Sequence, residues 1–131
     1  MSILIDTDVA IHLRDGSPEV SARLLALNEL PAISVITLVE LQAGAAMDRS
    51  TGGLRARLLE RLRQTLIVLP LGEAEADAYG RIVASLGHDR RLVLDRMIAA
   101  QAIAARRRLV TINGRDFAKI PGLDLEVWPA P

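Results

Sequence analysis

Ser2-Ile3-Leu4-Ile5-Asp6-Thr7-Asp8 decides the fold: a short apolar run ends abruptly in acidic and hydroxyl residues. The run has the length of a buried strand, and the polar residues at its end suit a helix start. The same grammar recurs along the chain. Residues 31–35 and 66–69 read as further strands, 108–111 as a fourth, and 125–127 as a last short one. Between them the spacing predicts helices over 8–14, 18–28, 37–46, 54–64, 73–86 and 92–106, with a loop over 47–53. The helix over 54–64 carries Leu54, Leu58, Leu59 and Leu62 on one side, an amphipathic spacing. Glu73 and Glu75 open their helix, and Arg106, Arg107 and Arg108 close another. Both placements complement the helix dipole. Strands alternating with helices imply an α/β fold with a mostly parallel sheet covered on both faces.

The chain has 131 residues and no internal repeat or linker, so residues 1–131 are expected to form a single domain. That length buries a core without disulfides or structural metals. Half of the residues are hydrophobic, yet no run approaches a membrane span. Nothing after Ile5 resembles a signal peptide. Cysteine is absent, which excludes a disulfide framework, a thiolate metal site and a cysteine nucleophile, and suits a cytoplasmic location. The formal net charge is zero, so composition announces no broad basic face for a duplex. Lys119 is the only lysine, leaving 15 arginines among the 16 basic residues. Arginine suits phosphate through its planar fork. Only Tyr79, Phe117 and Trp128 are aromatic, which argues against stacking successive bases on rings.

Functional groups of open parallel sheets gather beyond the carboxyl ends of the strands. Asp6 follows the first strand directly, Glu40 sits in the helix after the second, and Asp116 follows the strand 108–111. Asp95 lies near the start of a helix that leads into a strand, so it faces the same sheet edge. Each acid also has a local role open to it. Asp6 can cap the helix behind it. Thr37 and Glu40 have capping-box spacing. Asp95 suits a helix N-terminus, and Asp116 a turn. Taken together they describe a crowd of carboxylates that raise one another's pKa. Such a crowd calls for protons, arginines or a cation, and oxygen-only ligands favour Mg²⁺ or Mn²⁺. Of the two histidines, His12 reads as a partly buried structural residue and His88 as a solvated one.

Four segments carry a resemblance. Leu4-Ile5-Asp6-Thr7-Asp8-Val9, Ser34-Val35-Ile36-Thr37-Leu38-Val39-Glu40-Leu41 with Gly44, Asp95-Arg96-Met97-Ile98-Ala99-Ala100, and Leu109-Val110-Thr111-Ile112-Asn113-Gly114-Arg115-Asp116-Phe117 resemble, in order, the four motifs of PIN domains. Within that family the likeness is especially to the VapC toxins of type II toxin–antitoxin pairs. The resemblance implies a three-layer α/β/α domain with a short central sheet, and a metal-dependent endoribonuclease. It carries Asp6, Glu40, Asp95 and Asp116 onto the family's acidic, metal-binding and catalytic positions. It carries Thr7 and Thr111 onto supporting hydroxyl positions and Asn113 onto a polar position beside the fourth acid. Asp8 departs from the pattern, which commonly has asparagine there, and adds a carboxylate. The resemblance further implies a homodimer, a VapB-like antitoxin partner, an RNA substrate hydrolysed to 5′-phosphate and 3′-hydroxyl ends, and no membrane association. Arg90, Arg91, Arg96 and Arg115 are candidates to hold flanking phosphates.

Two other readings use the same residues. A non-catalytic PIN-like binding module would keep the partner surface without metal binding. An Asp-nucleophile phosphatase would use Asp6 of Asp6-Thr7-Asp8, as in haloacid-dehalogenase-like enzymes. Those enzymes place a lysine beside the acids, and the one lysine here, Lys119, lies beyond the fourth motif.

Overall fold

The computed structural model describes residues 2–50 and 52–131. Thr51, inside the expected loop 47–53, and Met1 lie outside the described residues. Five strands, β1 (Ile3–Ile5), β2 (Ala32–Ser34), β3 (Ile67–Leu69), β4 (Arg108–Thr111) and β5 (Leu125–Val127), form one sheet in the order β3-β2-β1-β4-β5. Every neighbouring pair is parallel. Among the described residues six helices connect them: α1 (Thr7–Arg14), α2 (Pro18–Leu27), α3 (Val35–Ala46), α4 (Leu54–Arg63), α5 (Glu73–Leu86) and α6 (Val93–Ala105).

Alternation along the strands divides the core in two. Ile3 and Ile5 face one side of β1 and Leu4 the other, as the two-residue period of a strand requires. The first side meets Val9, Val20, Leu24, Leu41, Leu59 and Leu62, from α1, α2, α3 and α4. The second meets Ala78 and Ile82 of α5 and Ile98, Ala99 and Ala102 of α6. The sheet is thus sandwiched, giving three layers. Ala99, Ala100 and Ala102 of α6 are fully buried, and their small side chains let that helix lie close to the strands. Buried Gln101 donates through Nε2 to the carbonyls of Leu69 (2.8 Å) and Pro70 (2.7 Å). It thereby ties α6 to the end of β3, where the ladder has run out.

The order of the strands matters for the site. From β1 the chain steps to β2 and β3 on one side, then returns to β4 and β5 on the other. The carboxyl ends of β1 and β4 therefore flank the point where the winding reverses, the crevice in which open α/β sheets bind ligands.

Candidate active site

Asp6 follows the last residue of β1, and its backbone N–H donates to Val110 O at 2.9 Å, continuing the ladder to β4. Its carboxylate caps α1, accepting from Thr7 N at 2.6 Å through Oδ1. The other oxygen, Oδ2, accepts from the Thr111 hydroxyl at 2.7 Å. That bond crosses the crevice from β1 to the end of β4. Thr111 Oγ1 in turn accepts from Asn113 N at 2.9 Å, and Asn113 Nδ2 donates to Asp116 Oδ2 at 2.7 Å. One chain of hydrogen bonds thus connects Asp6 to Asp116 through Thr111 and Asn113.

A second chain reaches Glu40. The Thr7 hydroxyl donates to Glu40 Oε1 at 2.8 Å. It also lies 2.9 Å from the Thr37 hydroxyl, which is therefore the donor to it, because Thr7's one proton is committed to the carboxylate. The capping box suggested by Thr37 and Glu40 does not form. Ser34 caps α3, its Oγ accepting from Ile36 N at 3.0 Å. Thr37 and Glu40 lie inside the helix, further along its first two turns. Their three-residue spacing instead puts both on the side that faces α1.

Asp95 is in the first turn of α6. Burial and the charges of Asp116, Glu40 and Asp8, in that order, push its carboxyl up to about 6, against the pull of Arg91. Burial pushes Asp6 further, to about 7, with Asp8 and Asp95 adding to the rise and the bonds from Thr111 and Thr7 opposing it. All four acids from the four segments therefore share one electrostatic field. Asp8 belongs to it too, although its side chain is exposed. Among the described residues the cation paired with this group is Arg91, whose Nη1 stands 3.8 Å from Asp116 Oδ1.

The group is made of oxygen atoms alone, and its burial and crowding hold the carboxyls of Asp6 and Asp95 well above the usual range. Among the described residues no three His, Cys, Asp or Glu side chains are gathered closely enough to hold an ion. Carboxylate oxygens are the kind of donor that Mg²⁺ and Mn²⁺ take.

Thr7 bonds to two of these acids, and Thr111 and Asn113 to one each. Reasoning from sequence missed Thr37 as a support; the signal was a hydroxyl four residues before Leu41, on the buried side of α3. Of the four candidate phosphate-binding arginines, Arg91 and Arg115 flank Asp116, while Arg96 is buried. His12 is half-buried and His88 exposed, and neither enters these two hydrogen-bond chains.

The PIN domain family model matches residues 3–123. The chain is 31% identical to "Ribonuclease VapC" of Rickettsia bellii, covering 100% of this chain and 98% of the relative. It is 30% identical to "tRNA(fMet)-specific endonuclease VapC" of Shigella flexneri, with 98% of each covered. Among solved structures, DNA-bound VapBC from Salmonella typhimurium superposes with a TM-score of 0.84 at 31% identity, covering 98% of both chains.

Proposed function

The chain belongs to the PIN-domain family, and from that premise we propose that it is a VapC-type endoribonuclease whose carboxylates work with Mg²⁺ or Mn²⁺. The observation that carries the reading is the coupling of acids from four separate segments. Asp6 and Asp95 hold carboxyls raised to about 7 and about 6, first by burial and then by neighbouring carboxylates. A fold that needed these residues only as caps and turn formers would gain nothing from converging them.

The roles follow from the contacts. Asp6 is fixed through both oxygens, so its orientation is set before any ligand arrives. Thr7 and Thr37 orient Glu40 through Oε1, and Asn113 orients Asp116 through Oδ2. Asp6, Asp95 and Asp116 are the candidates to hold the cation, directly or through its waters, and Glu40 to bind it or orient the attacking water. The cation, when bound, supplies positive charge at the scissile phosphate and lowers the pKa of the attacking water. Arg91, paired at 3.8 Å with Asp116, holds part of the negative charge in check and stands ready for a phosphate oxygen.

The partner we propose is a VapB-like antitoxin, with the toxin as a homodimer. The relatives solved from Salmonella typhimurium and Rickettsia felis are VapBC complexes. An apolar groove of about 520 Å³ between α2 and the segment leading into β2, lined by Leu13, Leu24, Leu25, Leu30 and Leu66, offers surface of the right chemistry. Leu25 is 80% exposed there, an unfavourable position for a large apolar side chain unless something covers it.

The reading is tested by incubating total RNA with the purified chain in Mg²⁺. New 5′-phosphate ends should appear, EDTA should abolish them, and Asp95→Asn and Asp6→Asn should each be inactive while folded. Cleavage by both variants at the wild-type rate would remove this site from consideration.

A further inference from the structure

Beside the carboxylates, and sharing Asp116 and Arg91 with them, lies a cavity of about 500 Å³. It opens between α6, the 3-10 turn Arg90–Leu92 and the 3-10 turn Gly114–Asp116 with the residues after it. Its walls carry four cations, Arg91, Arg96, Arg115 and Lys119, and one carboxylate, Asp116. Among the described residues no ion pair engages Arg96, Arg115 or Lys119. Arg115 and Lys119 stand exposed at the rim.

Arg96 is the unusual member. It is only 6% exposed. One nitrogen, Nη1, donates to Gly87 O at 2.7 Å, while Nε is buried with no partner. A guanidinium keeps its charge at any physiological pH, and a buried charge without a counter-ion is unfavourable. An anion seated in the cavity would relieve that. The residues at hand suit phosphate: a planar fork in the wall and two long, exposed cations at the mouth. The volume exceeds what a bare phosphate needs and lies within the range of small-molecule sites. Leu86, Leu92 and Ile120 give the cavity an apolar side for a sugar or base.

We propose that this cavity is a phosphate subsite that takes a nucleotide of the RNA adjoining the cleaved bond. The inference rests on the ribonuclease reading for the identity of its ligand. Asp116 supplies the geometric link, since it belongs both to the cavity wall and to the carboxylate cluster. A nucleotide held by Arg96, Arg115 and Lys119 would set the register of the strand across Asp6 and Asp95 without touching the reacting phosphate.

The test begins without catalysis. Wild-type protein in EDTA is titrated with adenosine 5′-monophosphate, then with adenosine, while the Nε–Hε signals of the arginines are followed by NMR. The Arg96 signal should move saturably with the nucleotide and stay still with the nucleoside. Arg115→Ala and Lys119→Ala should each weaken the response about tenfold, the scale of one charge-assisted hydrogen bond. Arg23→Ala, on α2 beside Trp128, should not. An unmoved Arg96 signal, or equal responses to nucleotide and nucleoside, overturns the proposal. The second arm uses RNA oligonucleotides with one neutral methylphosphonate linkage placed at successive positions. A single linkage near the cleaved bond should raise KM about tenfold in the wild type and lose that effect in Lys119→Ala, with kcat little changed. Equal sensitivity at every linkage in both proteins overturns the subsite. A chain that binds the nucleotide through Arg96 but cleaves no RNA would instead reject the ribonuclease reading, so the two failures are distinct.

Discussion

Asp6→Asn should make the metal-free protein more stable while removing its activity. Asp6 is 3% exposed, and its carboxyl titrates near 7 in the fold against 3.8 in an unperturbed chain. Between those values the folded state holds a proton that the unfolded chain has already released. Raising the pH through this window therefore removes stability, by up to about 4 kcal/mol at about 1.4 kcal/mol per pH unit. Asparagine escapes that loss. It keeps an oxygen for the Thr7 N–H but turns an amide donor toward the Thr111 hydroxyl, which already accepts from Asn113 N. The hydroxyl proton then lacks its acceptor, at a cost of about 1 kcal/mol. The net gain for the variant should be about 2–3 kcal/mol at pH 8 and should vanish near pH 4. Urea unfolding of both proteins in EDTA from pH 4 to 8 measures it. Asp95 is present in both but is coupled to Asp6, so the difference curve reports Asp6 together with the relief of its repulsion on Asp95. A variant less stable than the wild type at pH 8, or a pH-independent difference, would show that burial of this carboxylate does not strain the metal-free fold.

Thr111→Val removes both the donor to Asp6 Oδ2 and the acceptor of Asn113 N. Stability should fall by about 2–4 kcal/mol in thermal or urea unfolding, and the alkaline rise of RNA cleavage should move to higher pH, because Asp6 loses a bond that holds its carboxyl down. Gly114→Ala should destabilise the loop that carries Asp116, since the new Cβ would stand 2.7 Å from Val127 Cγ2. A loss of about 1–3 kcal/mol is expected, and Val127→Ala in the same chain should restore most of it, as a double-mutant cycle would register.

Much of this site can be read in the sequence because its acids sit at ends of elements, where local patterns are strongest. The helix over Glu73–Leu86 and the strands Arg108–Thr111 and Leu125–Val127 emerge as the residue spacing predicts. The start of α3 does not. Ser34 and Thr37 both offer a hydroxyl in front of a helical run, and nothing local chooses between them. The choice is made by tertiary contact, because Thr37 is needed against Thr7. The end of α6 is hidden for a related reason: Arg106, an ordinary helix former, closes it in the left-handed conformation (φ 55°) that glycine usually takes. At Asp6 the structural role leaves room for the proposed functional one. It caps α1 as local chemistry suggests, and the same two hydrogen bonds aim it into the crevice. Arg96 is legible in the sequence as a candidate for a flanking phosphate, but its burial is not, since adjacency to Asp95 says nothing of whether a guanidinium is buried.

Whether these carboxylates form one cation site is decided by a calorimetric Mn²⁺ titration at pH 6 and pH 8, repeated in buffers of different ionisation enthalpy. With Asp6 near 7 and Asp95 near 6, saturable binding at pH 6 should release roughly 1.4 protons per site and at pH 8 almost none. Asp6→Asn should lose the binding. Proton release that does not change with pH, or undiminished Mn²⁺ affinity in the variant, would mean that the acids of the crevice do not act as one site.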